Sequence, residues 1–206
     1  MKNPLHYQLS EYDCGPTSLL NAISYLFERE TTPPEVVRNI MVYSLDVYGA
    51  DGCAGKNGTS PIAMMFLSNW LNSFAATGQF PVSSQYLSGE AVNFAPDSKL
   101  RDALRRGGAA VARVDFDIWH YVLLTGIQDD QVFLFDPYYR ETPFPGEQIQ
   151  MISDHPTAYN RIAPASYFDR EALEVYAFGP LASREAVLIF NEQTKLTEEN
   201  TLEYMI

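Results

Sequence analysis

The chain has 206 residues, 46% of them apolar and 13% aromatic, enough for one domain of generous size with a sizeable core. Its 14 Lys and Arg stand against 26 Asp and Glu, and the resulting net charge of −12 repels phosphate backbones, which makes nucleic acid a poor partner. No apolar run approaches the ~18 residues a membrane helix needs. The start Met1-Lys2-Asn3-Pro4-Leu5-His6 lacks the apolar segment of a secretory signal, and two cysteines are too few for a disulfide framework or a cysteine-rich zinc site. A cytoplasmic protein with no membrane partner is the expectation.

In chain order, Leu19, Leu20, Ile23, Leu26 and Phe27 recur at helical spacing, predicting an amphipathic helix over 14–28 with Asp13 as N-cap and Pro16 in its first turn. Thr32-Pro33-Pro34-Glu35 reads as a capping box opening a second helix with Val36, Val37, Ile40 and Met41 on one face. Residues 46–59 are rich in Gly and polar residues and should be loop. Ser60-Pro61 opens a third helix, with Ile62, Met65, Phe66, Trp70 and Phe74 expected inward. A short helix over 98–106 stops at Gly107-Gly108.

Beyond it the period changes to that of strands, at 110–114, 121–127 and 131–135, with Gln128-Asp129-Asp130 as a hairpin turn. Residues 138–173 show no clear period and read as an irregular excursion, followed by strands at 174–178 and 186–190. Helices first and an antiparallel sheet afterwards give an α+β class, with one domain over 1–191 and an acidic tail over 192–206.

Chemistry concentrates in three segments. Cys14 opens a predicted helix, where the helix dipole and free N–H groups favour negative charge on sulfur, and Gly15 leaves room for substrate beside it. His120 begins one strand of the predicted hairpin and Asp136 ends the other, so pairing brings both to one edge of the sheet. A carboxylate there would fix the imidazole tautomer and stabilise its protonated form. Gln8, six positions before the cysteine, could donate with the Cys14 backbone N–H into an oxyanion hole.

The Gln-x5-Cys-Gly segment, the His-Tyr-Val-Leu-Leu strand, the Asp-Pro turn and the Gly58-Thr59-Ser60 entry to the third helix resemble the bacteriocin-processing, double-glycine-leader cysteine peptidases and their stand-alone relatives. The likeness covers most of 7–136. It implies a papain-like fold, Cys14 as nucleophile, His120 as base, Asp136 as the orienting residue and Gln8 as oxyanion donor. It also implies thioester chemistry on a leader or other small peptide, with no metal or organic cofactor. The same triad would serve an acyltransferase, and a silent papain-like module that binds a peptide or protein is the reading from outside enzymology. The sequence leaves the oligomeric state open.

Bland readings stand beside these. A free cysteine is commonly a buried helix residue, His120 could cap a strand, Asp136-Pro137 is an ordinary turn opener and Gln8 a surface amide. His6, His155 and Cys53 lie in loops and carry no evident chemistry. A Cys14–Cys53 disulfide would block the nucleophile. Trp119, next to His120, would shield the ion pair, line the cleft or belong to the core.

Overall fold

The structure, a computed structural model, describes residues 2–197. Three helices come first: α1 (Cys14–Leu26), α2 (Pro34–Tyr43) and α3 (Pro61–Ala75). Then follow β1 (Val82–Ser88), α4 (Lys99–Arg105), β2 (Ala109–Phe116), β3 (Ile118–Gln128), β4 (Gln131–Phe135), β5 (Gln150–Met151), β6 (Arg161–Pro164), the single turn α5 (Ala165–Phe168) and β7 (Glu185–Asn191). All seven strands form one antiparallel sheet in the order β1-β7-β2-β3-β4-β6-β5. The expected α+β layout of a helical lobe on an antiparallel sheet is therefore present.

Alternation along the strands divides the core in two. Val111, Tyr121, Leu123 and Val187 face α1 and α3, meeting Leu19, Ile23, Met64, Leu67 and Leu71. Ala112, Val122, Leu124 and Leu134 face the other way, onto α4, Phe168, Tyr176 and Phe178. The hairpin of β3 and β4 turns on Asp129 and Asp130, both at positive φ (48° and 60°), a two-residue turn of the kind that Asp tolerates.

Several local expectations need correcting. Asp13 occupies the N-cap position of α1, but its carboxylate caps nothing. It accepts instead from the Leu9 and Ser10 backbone N–H groups and from Ser10 Oγ, at 3.2, 2.8 and 2.7 Å, building the turn before Cys14. The capping box at Thr32 is absent, since Pro33 precedes α2 with no side-chain cap; Val36 and Ile40 are buried while Val37 and Met41 are exposed. Ser60 does cap α3 through the Ala63 N–H. The buried face of α3 is Ala63, Met64, Leu67, Ser68 and Leu71; Ile62, Met65 and Phe66 are exposed, and Trp70 and Phe74 only flank the core. This helix is apolar almost all round, so its period did not single out the inward face.

Strand β1 lies where no strand is expected, because Ser83, Ser84 and Gln85 interrupt its apolar pattern at a sheet edge. The reverse error is at 174–178, an apolar run that forms a turn with Tyr176 at φ 63°. The excursion 138–173 contains β5, β6 and α5. Beyond β7, residues 192–197 form no helix, and the rest of the expected tail, 198–206, lies outside the described residues.

Candidate active site

The N-terminus of α1 packs on the start of β3. Cys14 is buried at its first position, and the first intrahelical bond runs from the Thr17 N–H to the Asp13 carbonyl at 3.0 Å. The N–H groups of Cys14 and Gly15 therefore precede the helical ladder and have no acceptor within it. Gly15 is dictated by proximity: a Cβ there would lie 2.2 Å from Thr59 Oγ1, so only glycine lets the 58–59 segment close onto the helix. Both cysteines are free thiols, and Cys53 is exposed in the 46–59 loop.

His120 and Asp136 meet as the hairpin geometry requires. Extending the Leu124↔Leu134 register places residues 120, 122 and 136 on one face. His120 Nε2 lies 2.8 Å from Asp136 Oδ1, with the two residues only 6% and 1% exposed. Burial alone would lower the His120 pKa; the Asp136 charge and hydrogen bond, with a smaller contribution from Cys14, outweigh it and raise the group to about 10. For Asp136 burial pushes upward, and the His120 charge and the donated hydrogen bonds overcome it, so its carboxyl sits below the ordinary value. Because Nε2 is committed to Asp136, Nδ1 is the nitrogen left for the Cys14 sulfur.

Asp136 is held by residues the sequence did not suggest. Tyr176 Oη donates to Asp136 Oδ2 at 2.7 Å, and the Tyr138 N–H donates to Oδ1 at 2.8 Å. Asn160 grips the backbone on both sides, accepting from the Asp136 N–H and donating to its carbonyl, each at 2.8 Å. Asn160 and Tyr176 lie in stretches read as irregular and as strand, and no local pattern marks either.

Gln8 is brought to the same cleft, its backbone N–H donating to the Pro137 carbonyl at 2.9 Å. Its side-chain Nε2 donates to the Ser10 carbonyl at 2.8 Å, and Oε1 is buried without a partner. One Nε2 hydrogen thus remains for another acceptor. His6 engages Asn21 only through its backbone, and exposed His155 pairs with Asp154 and stacks on Tyr159, both away from the site.

Two cavities flank the Cys14–His120 pair. One, of about 470 Å³, runs past Cys14 and is walled by Val47, Thr59, Pro61, Arg113, Trp119 and Tyr121. The other, of about 280 Å³, runs past His120 and is walled by Gln8, Phe116, Asp117 and Tyr138. Glu11 and Ile118 border both. Under the first lies a second polar cluster: buried Glu185 accepts from Tyr121 Oη at 2.6 Å and Tyr86 Oη at 2.8 Å and pairs with Arg113 Nε at 3.1 Å. Trp119 stacks on the Arg113 guanidinium, 4.7 Å from ring centroid to Cζ, and lines the cleft. Among the described residues no group of three or more His, Cys, Asp or Glu is placed to hold a metal, and no helix is long and apolar enough to cross a membrane.

No curated protein matches the chain. Among solved structures it is similar to a double-glycine-motif protease from an AMS/PCAT transporter, crystallised in complex with the leader peptide: 14% identity, TM-score 0.44, 91% of this chain and 89% of that one. It is similar also to the peptidase domain of Streptococcus mutans ComA, at 11% identity and TM-score 0.39 over 91% of this chain and 98% of that one. The model of the Peptidase_C39 like family matches residues 2–164, which include Gln8, Cys14, His120, Asp136 and Asn160, and the chain belongs to that family.

Proposed function

We propose that this chain is a cysteine peptidase that cleaves a peptide bond through a thioester on Cys14. The observation that carries this reading is the buried His120–Asp136 pair with its remaining imidazole nitrogen at the helix terminus that bears Cys14. The Cys14 sulfur attacks the substrate carbonyl, and the N–H groups at the start of α1, with the spare Gln8 amide hydrogen, receive the oxyanion. His120 Nδ1–H gives its proton to the leaving amine as the carbon–nitrogen bond breaks. The neutral imidazole then takes a proton from water, which opens the thioester, releases the acid product and restores the thiol. Asp136 keeps the ring turned throughout and remains ionised.

The substrate class we favour is a leader or other small peptide. Pro61 and Val47 wall the larger cavity, and the neighbouring Ile62 and Tyr48 are exposed, as are Tyr43, Met65 and Phe66, whose Tyr43 and Phe66 rings touch edge-on at 5.1 Å. Such an apolar surface beside a cleft suits apolar side chains flanking a scissile bond.

The test is incubation of the purified chain with a library of small peptides, read by mass spectrometry. Cleavage by the wild type and none by Cys14→Ala is the expected result. Equal cleavage by both would remove Cys14 from the mechanism, and products bearing an added amine in place of a new carboxyl terminus would make the protein an acyltransferase.

A further inference from the structure

Arg161 is a charged residue that the chemistry above does not use. It stands on β6 directly across from Leu134, so its side chain enters the apolar layer of the sheet that also contains Phe144, Ile149 and Tyr176. It is 2% exposed. One nitrogen, Nη1, donates to the Asn160 carbonyl at 2.8 Å, while Nε and Nη2 are buried with no acceptor. No described carboxylate lies within ion-pair distance of it. Buried Arg184 differs, with its guanidinium bonded to the carbonyls of Gly179, Val92 and Asp169.

An arginine keeps its charge at any ordinary pH, and burying that charge unpaired is costly. Two routes of contact lead from Arg161 to one buried carboxylate. Asn160, whose carbonyl takes the Arg161 hydrogen bond, holds the Asp136 backbone at both its N–H and its carbonyl. Tyr176, on whose hydroxyl the guanidinium acts electrostatically, donates that hydroxyl to Asp136 Oδ2. The need is clear from the reaction. When His120 hands its proton to the leaving amine, Asp136 is left as a buried anion whose imidazolium partner has gone.

We propose that Arg161 is a positioning residue of the triad, its fixed charge acting through Tyr176 and Asn160 to keep Asp136 ionised and in place. The proposal rests on the catalytic reading of Cys14, His120 and Asp136. Charged and titratable groups about that pair are Cys14 from α1, Tyr176 from the turn after α5, Asp115 of β2, Asp117 between β2 and β3, Tyr138 after β4, Glu11 at the cleft rim and Arg161 from β6. On the Cys14 side Arg113 is already paired with Glu185, so among the described residues Arg161 is the permanent cation about Asp136 without a carboxylate partner, and its removal makes the pocket less able to hold a thiolate and a carboxylate.

The experiment is iodoacetamide alkylation of Cys14 in the full chain carrying Cys53→Ser, which removes the exposed second thiol, followed by intact mass from acid to alkaline pH. Arg161→Met should move the acid limb of the profile up by roughly one pH unit. Arg161→Lys should return it, and in an Asp136→Asn background the Met substitution should no longer shift it. An acid limb left in place by Arg161→Met, with or without a uniform loss of rate, overturns the proposal. If Met does not fold, Arg161→Gln retains a polar group toward Asn160 without the charge and is read in the same way. Tyr176→Phe removes only the relaying hydroxyl, and an unmoved limb there also counts against the relay. A wild-type Cys14 that reacts no faster than a free thiol at any pH overturns this proposal together with the catalytic reading, whereas an accelerated wild type with an unshifted Arg161→Met overturns this proposal alone.

Discussion

At the scale of single residues, the His120–Asp136 pair has consequences for both activity and stability. Asp136 is what lifts His120 to about 10 against the opposing effect of burial. Asp136→Asn should therefore bring the alkaline limb of the kcat/KM profile, where the imidazolium that protonates the leaving amine is lost, down from near pH 10 toward neutrality, and lower its plateau by about 10²-fold or more. The same pair links pH to folding. His120, raised from 6.5 to about 10, contributes stability that is fully present below pH 6.5 and lost as pH climbs through 10. Asp136, lowered from 3.8, contributes stability present above that value and lost as pH falls further. Denaturant unfolding should show the gap between wild type and Asp136→Asn at its widest between these two reference values and closing toward both extremes. That Cys14 opens a helix and that His120 meets Asp136 was legible in the sequence, because a helix start and a hairpin are local objects. Asn160 and Tyr176 reach Asp136 from 24 and 40 residues away, out of range of any local pattern. Glu185 and Arg113 escaped notice for a related reason: each is an ordinary charged residue at a strand position until the sheet is assembled.

Among the secondary-structure elements, two misread faces give the clearest tests. The inward side of α3 is fixed by Met64, Leu67 and Leu71, all fully buried, whereas Ile62 is largely exposed. Leu67→Ala should cost about 2–5 kcal/mol in denaturant unfolding. Ile62→Ala should cost well under ~1 kcal/mol, as exposed positions generally do, and its effect is expected instead in the KM for an apolar peptide. The segment 174–178 has the composition of a strand, yet the Tyr176 backbone bends at positive φ to aim its hydroxyl at Asp136, while its N–H donates to the Asp115 carbonyl and the Ala177 carbonyl accepts from the Asp115 N–H. Tertiary demand overrides local propensity there. At the α1 terminus the helix starts where the sequence predicts, but Gly15 serves the close approach of Thr59 where room for substrate was the expectation. Gly15→Ala should push the 58–59 segment off the helix and reduce activity at least tenfold, and a second change, Thr59→Gly, which removes the opposing atoms, should restore much of it. An additive loss in the double variant would show that the contact is not what Gly15 serves.

Across the whole molecule, the site is a seam. Cys14 arrives on the helical lobe, His120 and Asp136 on the sheet, and the N-terminal segment straps across the sheet through Leu5 N–H to the Pro156 carbonyl at 2.7 Å and Gln8 N–H to the Pro137 carbonyl at 2.9 Å. The α+β layering was legible from the change of period along the chain, but strand order was not, since nothing local tells β1 to pair with β7. The net charge of −12 gives the molecule a long-range field, which draws cationic substrates and is screened within about 10 Å at ordinary salt. kcat/KM for a lysine-rich peptide should thus fall as ionic strength rises, while that for a neutral peptide of equal length should stay level; stopped-assay fluorescence on such a pair checks it.

Strand β7 has a position whose meaning is temporal. It is last among the described strands, yet it sits between β1 and β2 and supplies Glu185 to the floor of the cleft. While the chain is being synthesised, the β2–β3–β4 meander can close early, bringing His120 and Asp136 together. The helices can already settle on β2 and β3, but strand β1, whose partner in the sheet is β7, stays unpaired until that last strand is made. The larger cavity thus gains Glu185 and the sheet its β1 edge only when the last strand is added, and on the proposed reading a chain that ends before residue 185 lacks a finished cleft.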